Sequence, residues 1–174
     1  MTETDRQRYR RARLRDALIY WLYIPAAVLC GGKGVDRLLG LSPMSGGGWL
    51  LAAAVVLLAA GGGFIQRATR DLQALGEGTP NPRFPPRQLV TGGIYAWCRH
   101  PMFFGYDLAA LGVVLLFQSP GMLFVAWPLF IVLQIRFLRK EEKILHKRFG
   151  RRFEEYRRQV PLLLPRPPAK GKMP

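Results

Sequence analysis

The stretch RHPMFFGYDLAALGVVLLFQSPGMLFVAWPLFIVLQIR, residues 99–136, decides how this chain folds. Between His100 and Arg136 its only charge is Asp107. A helix needs about 20 apolar residues to cross a bilayer, with a range of roughly 17–25. The stretch is long enough for two such helices. Gln118-Ser119-Pro120-Gly121 interrupts it near the middle, where turn residues and proline end regular structure. The residues therefore predict a hairpin of spans over 102–118 and 120–138, whose two polar ends are neighbours.

Two more apolar stretches lie upstream. Asp16 and Lys33 enclose 16 uncharged residues, and Leu38 to Gln66 is a run of 29 residues without a charge. Spans are expected over 17–32 and 48–66. The first is short and carries Pro25, but Tyr and Trp in its first half and the lack of a small-residue cleavage signal before Lys33 argue against a signal peptide. The formal charge is +15 over 174 residues, a balance that points to nucleic acid or to a membrane surface. Its distribution decides. With the N-terminus inside, 24 of the 26 Lys and Arg fall on the inner side, and the outer loops hold only Lys33 and Arg37. That is the positive-inside asymmetry of membrane proteins, and it accounts for the charge without nucleic acid. The expected fold is an all-α integral membrane protein in one domain, 1–174. It has about four transmembrane helices plus a C-terminal cytoplasmic amphipathic helix. The expected place is an inner (cytoplasmic) membrane with both termini cytoplasmic.

The remaining segments fit this frame. Residues 1–16 are a basic tail suited to anionic lipid heads. The span 48–66 is rich in Ala and Gly, which lets helices approach closely where lipid gives no hydrophobic drive for association. Its Gly61-Gly62-Gly63 lies inside an apolar helical run with no preceding strand, so it is no nucleotide fingerprint. Residues 76–87, GEGTPNPRFPPR, carry four prolines and two glycines, and belong to an extended inner-face loop over 76–100. Residues 139–160 space Ile144, Leu145, Phe149, Phe153, Tyr156 and Val160 between dense charges, the pattern of a helix lying on a membrane surface. A Pro-rich tail, 161–174, follows. Cys30 and Cys98 form no CxxC pair, and no metal site or disulfide is expected. His146 reads as a surface residue.

Chemistry can gather only where polar groups meet on the inner face. Tyr95, Trp97, Arg99 and His100 stand at the mouth of the third span, and Glu141-Glu142 follow the fourth. The hairpin brings these together. Singly, Arg99-His100-Pro101 reads as a positive-inside anchor with proline in a first helical turn, and the aromatics read as an interfacial belt. Neither reading explains the acidic pair. Asp107, about two turns into the third span, costs several kcal/mol unless paired or hydrated; structural pairing and a functional role both stand.

The compound pattern resembles the isoprenylcysteine carboxyl methyltransferases and their bacterial relatives, small integral-membrane enzymes that use S-adenosylmethionine. The likeness runs from LVTGGIYAWCRHPMFFG (89–105) to EEKILHKRFGRRFEEYRRQVPLLLP (141–165), close to half the chain. It implies cofactor contacts from Arg87, Gln88, Leu89, Val90, Tyr95, His100, Pro101, Met102, Phe103 and Glu141. Arg99, His100 and Glu142 become the catalytic candidates, and a lipophilic or lipidated small-molecule acceptor in the bilayer the expected partner. Phe103 departs from the family's usual Tyr. An arginine of the prenylcysteine enzymes falls here at Phe137, which leaves Arg136 and Arg139 as the substrate-side candidates.

The residue chemistry agrees. An Arg suits the cofactor's carboxylate, a Glu its ammonium, and Tyr or Trp faces its adenine or sulfonium. Two rivals stand beside this reading. One is a sterol-reductase-like oxidoreductase; the other is a non-catalytic membrane scaffold binding anionic lipid, for which Phe103 and Phe153, in place of Tyr, speak.

Overall fold

The computed structural model describes residues 24–77 and 86–168. The basic tail 1–16, the start of the first expected span and residues 78–85 of the connector lie outside them. The described residues are helical, with no strand among them. We number the α-helices α1 (Ile24–Leu39), α2 (Gly47–Gly76), α3 (Pro101–Phe117), α4 (Trp127–Phe149) and α5 (Arg151–Gln159). A 3-10 turn, Gly93–Ala96, precedes α3, and a π-helical turn, Met122–Ala126, leads into α4.

The predicted hairpin forms where expected. Pro101 occupies the first position of α3, where its missing N–H leaves nothing unpaired. Gln118 ends α3 in the left-handed region at φ +48°. Other boundaries differ from expectation. α2 runs past Arg67, Arg70 and Asp71 to Gly76, because those charges end an apolar stretch without ending a helix. α1 likewise continues through Lys33, Asp36 and Arg37. The expected single helix over 139–160 is two pieces. α4 carries its first part without a break to Phe149, then Gly150 turns the chain at φ +55° into α5. A glycine in that conformation costs little, and the apolar spacing across it conceals the break.

Two helical runs, Gly47–Gly76 and Met122–Phe149, are long and apolar enough to cross a membrane, and Pro101–Phe117 is a shorter apolar helix. Their apolar side chains point mostly outward: Trp49 is 68% and Phe124 is 73% exposed, and Val56 and Leu133 are exposed beside them. Such a surface suits lipid and is costly in water. Inside, α2 and α3 touch backbone to backbone. A Cβ on Gly61 would stand 2.6 Å from the Gly105 carbonyl oxygen, and one on Gly112 would stand 3.0 Å from that of Ala54. Small residues here replace the hydrophobic drive that lipid cannot supply.

At the turn of the hairpin, the end expected to face outward, α1 holds the chain. Asp36 accepts a bond from the Gly121 N–H at 2.7 Å and another from the Ser119 hydroxyl. Ser119 in turn accepts from the Met122 N–H at 3.1 Å, capping the incoming helix. Lys33 Nζ donates to the Phe117 carbonyl at 3.3 Å, satisfying an end of α3.

Candidate functional site

At the opposite end of the hairpin, the one expected to face inward, the chain approaching α3 is shaped by Asp71. Its carboxylate accepts from the Ile94 N–H at 2.7 Å and pairs with Arg67 at 3.1 Å. Gly93, at φ +61°, lies against that carboxylate so closely that any side chain would collide with it. The turn so fixed delivers Tyr95, Trp97, Arg99 and His100 in order to the mouth of α3.

Arg99 is the hub. Its Nη1 donates to the backbone carbonyls of Arg157 at 2.7 Å and Val160 at 2.8 Å, and its Nε lies 2.6 Å from Glu142 Oε1. The backbones run alongside: Arg99 N–H donates to Pro161 O, His100 N–H to Leu162 O, and Arg166 N–H to Trp97 O, all between 2.9 and 3.2 Å. The Tyr156 hydroxyl donates to the Tyr95 carbonyl at 2.7 Å. α5 and the residues after it are thus strapped across the 93–100 turn. Phe153, Tyr156 and Val160 form a buried cluster there, with Leu89, Leu145 and Phe149 packed on it.

His100 is 7% exposed. Its Nε2 lies 3.7 Å from Glu142 Oε1 and its Nδ1 lies 4.0 Å from Glu141 Oε2. Both distances are longer than hydrogen bonds. His100 Nε2 and Glu141 Oε2 have no hydrogen-bond partner, and neither has Glu142 Oε1 in hydrogen-bonding geometry. The two acids differ in setting. Glu142 is buried, whereas the Glu141 side chain is 41% exposed although its Oε2 is buried toward His100. Burial pushes the Glu142 carboxyl up. The nearness of His100 and the Arg99 charge outweigh that and hold it below the usual carboxylate range. Burial raises the Tyr95 and Tyr156 phenols, and it pushes the fully enclosed Cys98 thiol up to about 12, so these groups stay protonated.

The other sequence-predicted residues divide. Phe103 contacts His100 edge-on, with ring centres 6.1 Å apart, and also reaches Phe137 at 5.9 Å. Pro101 is buried and Met102 is half-buried at the same helix start. Arg87 and Gln88 are exposed after the Arg87 N–H has closed onto the Gly76 carbonyl at 2.8 Å. Val90 is buried against Gly76, and Leu89 joins the α5 cluster. Arg136 and Arg139 are exposed on α4, apart from the Arg99–His100–Glu142 contacts. Three groups escaped the sequence reading. Asp71 and the carbonyls of Arg157 and Val160 carry no local signal, and Asp36 is legible only as an outer charge. A cavity of about 530 Å³ opens at that outer end, lined by Lys33, Asp36, Arg37, Gly40, Leu41 and Pro43. Its acid is already engaged by the hairpin turn, so we place no chemistry there.

A family model described as phospholipid methyltransferase matches residues 43–152, a stretch holding α2, the turn, α3, α4 and the acidic pair. The chain belongs to that family. Its relatives include the protein-S-isoprenylcysteine O-methyltransferases of Schizosaccharomyces pombe, 38% identical over 81 residues, and of Mus musculus, 36% identical over 81 residues. The matched segment is 44% of this chain in both, but 33% of the yeast protein and 27% of the mouse one. The human enzyme of that name is 34% identical over 86 residues, covering 49% of this chain and 30% of its own. The chain therefore spans a third or less of these relatives. They carry the name of the isoprenylcysteine methyltransferases that the sequence resembles. With its outward apolar helices it is a membrane protein. No solved structure matches the chain.

Proposed function

We propose that this protein is a membrane methyltransferase that uses S-adenosylmethionine at the cytoplasmic face. Its acceptor is a lipophilic or lipidated molecule offering a carboxylate, thiol or amine. Four spans with both termini inside complete the reading. The observation that carries it is the buried His100 with an unpartnered Nε2 beside Glu141 and Glu142, at the inner mouth of the hairpin. Buried polar atoms are rarely left unpaired unless something else pairs them.

The residues present fit the cofactor. The partly exposed Glu141 suits its ammonium, the exposed Arg87 its carboxylate, and the Tyr95 and Trp97 rings its adenine or sulfonium. When bound, the cofactor supplies an electrophilic methyl group. The remaining work falls to this chain. Arg99 straps α5 over the turn, which limits water at the mouth, and Glu142 pairs with Arg99 beside His100. Holding the acceptor in line with the methyl carbon, with water excluded, supplies much of the acceleration. A carboxylate acceptor needs no base. A thiol or amine gives up a proton, and His100 Nε2 is the group placed to take it.

Calorimetry with S-adenosylhomocysteine on detergent-purified protein tests the reading. Binding is expected, and it should weaken at least tenfold in His100→Ala and Glu141→Ala. No binding by the wild type would sink the proposal and leave the scaffold reading. Incubation of membranes with radiolabelled methyl donor, followed by lipid extraction, then identifies the acceptor.

A further inference from the structure

One side of α3 is closed by α2. The Gly61–Gly105 and Ala54–Gly112 approaches leave no space for a chain between those helices. A lipophilic molecule approaching His100 from the bilayer must use the other side, the seam between α3 and α4. On α3 that seam carries His100, Phe103 and Asp107; on α4 it carries Gln134, Leu138 and Glu142, spaced four residues apart and all buried. The Phe103 and Phe137 rings lie between its two polar ends. Asp107 is about 10 Å deeper than His100, at 1.5 Å per residue.

The deep end is a built polar site. Gln134 Nε2 donates to Asp107 Oδ2 at 2.9 Å, and Trp127 Nε1 donates to the Asp107 backbone carbonyl at 3.4 Å. Each of Asp107 and Gln134 is 6% exposed. Asp107 Oδ1 and Gln134 Oε1 have no hydrogen-bond partner. The two orphan atoms are both acceptors, carried by a hydrogen-bonded pair of side chains. Acceptors left unmet at membrane depth are costly, so a donor that reaches them gains affinity.

We infer that Asp107 and Gln134 form a subsite of the acceptor channel, which receives a hydroxyl or amide N–H carried part-way along the acceptor's chain. The inference rests on the methyltransferase reading of the His100 end. It makes the acceptor a bifunctional amphiphile, with the methylated group at the mouth and a hydrogen-bond donor deeper in the seam. An unsubstituted hydrocarbon chain leaves both oxygens unmet. A second carboxylate at that depth is repelled by Asp107.

The test uses the full chain in detergent, without methyl donor. Stearate and 9-hydroxystearate compete against a fluorescent fatty acid. The hydroxylated lipid is expected to bind the wild type about tenfold tighter, the worth of one good buried hydrogen bond. In Asp107→Asn the new amide can donate to Gln134 Oε1 and close the pair on itself, so the preference should fall within twofold. Equal binding of both lipids by the wild type overturns the subsite; it is the result expected if a shared proton or a water already closes the pair. A preference that survives Asp107→Asn, or no binding of either lipid, overturns it too. S-adenosylhomocysteine calorimetry on the same samples keeps the two readings apart. Lipid preference without nucleotide binding removes the methyltransferase alone, and nucleotide binding without lipid preference removes the subsite alone.

Discussion

The hairpin of α3 and α4 has two ends, and they treat polar groups in opposite ways. At the outer end Asp36, Ser119, Gly121 and Met122 pair with one another, and Lys33 donates to the Phe117 carbonyl. At the inner end Arg99 is engaged by carbonyls and by Glu142, yet His100 Nε2 and Glu141 Oε2 are left without hydrogen bonds. Both ends lie at the boundary of the same helices, so solvent alone does not explain the contrast. A polar cluster that closes on itself holds a fold. One that stops short has capacity for a ligand.

The sharpest way to break this contrast is Glu142→Ala, which leaves the buried Arg99 without its carboxylate. A loss of about 3 kcal/mol is expected, together with loss of S-adenosylhomocysteine binding, read by thermal melting and calorimetry. The outer counterpart is Ser119→Ala. Removing that cap should cost about 1–2 kcal/mol and leave the dissociation constant of the folded fraction unchanged. If Ser119→Ala abolished binding, the two ends would not be separable. Glu141→Gln reverses the pattern, with an unfolding free energy within about 0.5 kcal/mol of wild type and affinity for S-adenosylhomocysteine lowered at least tenfold.

A pH series sharpens the inner end further. The Glu142 pKa is lowered on folding from its ordinary value of 4.5. Its contribution is therefore full above that value and is lost as pH falls through the lowered folded value. Melting curves of the wild type should lose more stability across that acid window than those of Glu142→Gln. The smallest effect is on Cys98. Its thiol, raised to about 12 by burial, should stay unmodified by a maleimide at neutral pH until the protein is denatured.

How much of this is legible in the sequence follows from the range of each signal. Pro101 and the Gln118–Gly121 break are local, so the hairpin is readable from them. The hairpin then brings His100 to Glu141 and Glu142, a meeting predictable from topology alone. The break at Gly150 is hidden, because Leu145, Phe149 and Phe153 keep an apolar spacing across a residue that helices tolerate. Helix ends past Arg67 and Lys33 are missed because charge marks the edge of an apolar run, not the end of helical hydrogen bonding. The partners of Arg99 are least legible. Two are backbone carbonyls, which every residue has, lying 58 and 61 positions away. Asp107 is legible as an oddity, but its pairing with Gln134 needs the register of α3 against α4.

The strap that Arg99 draws over the turn also sets an order of events. Synthesis delivers the 93–100 turn long before residues 157–166, on which its enclosure depends. Until those later residues arrive, the Arg99 guanidinium and the backbone of Trp97, Arg99 and His100 lack their partners. The wall around His100 is therefore finished from downstream. A chain halted before Val160 has its helices but an open mouth beside His100.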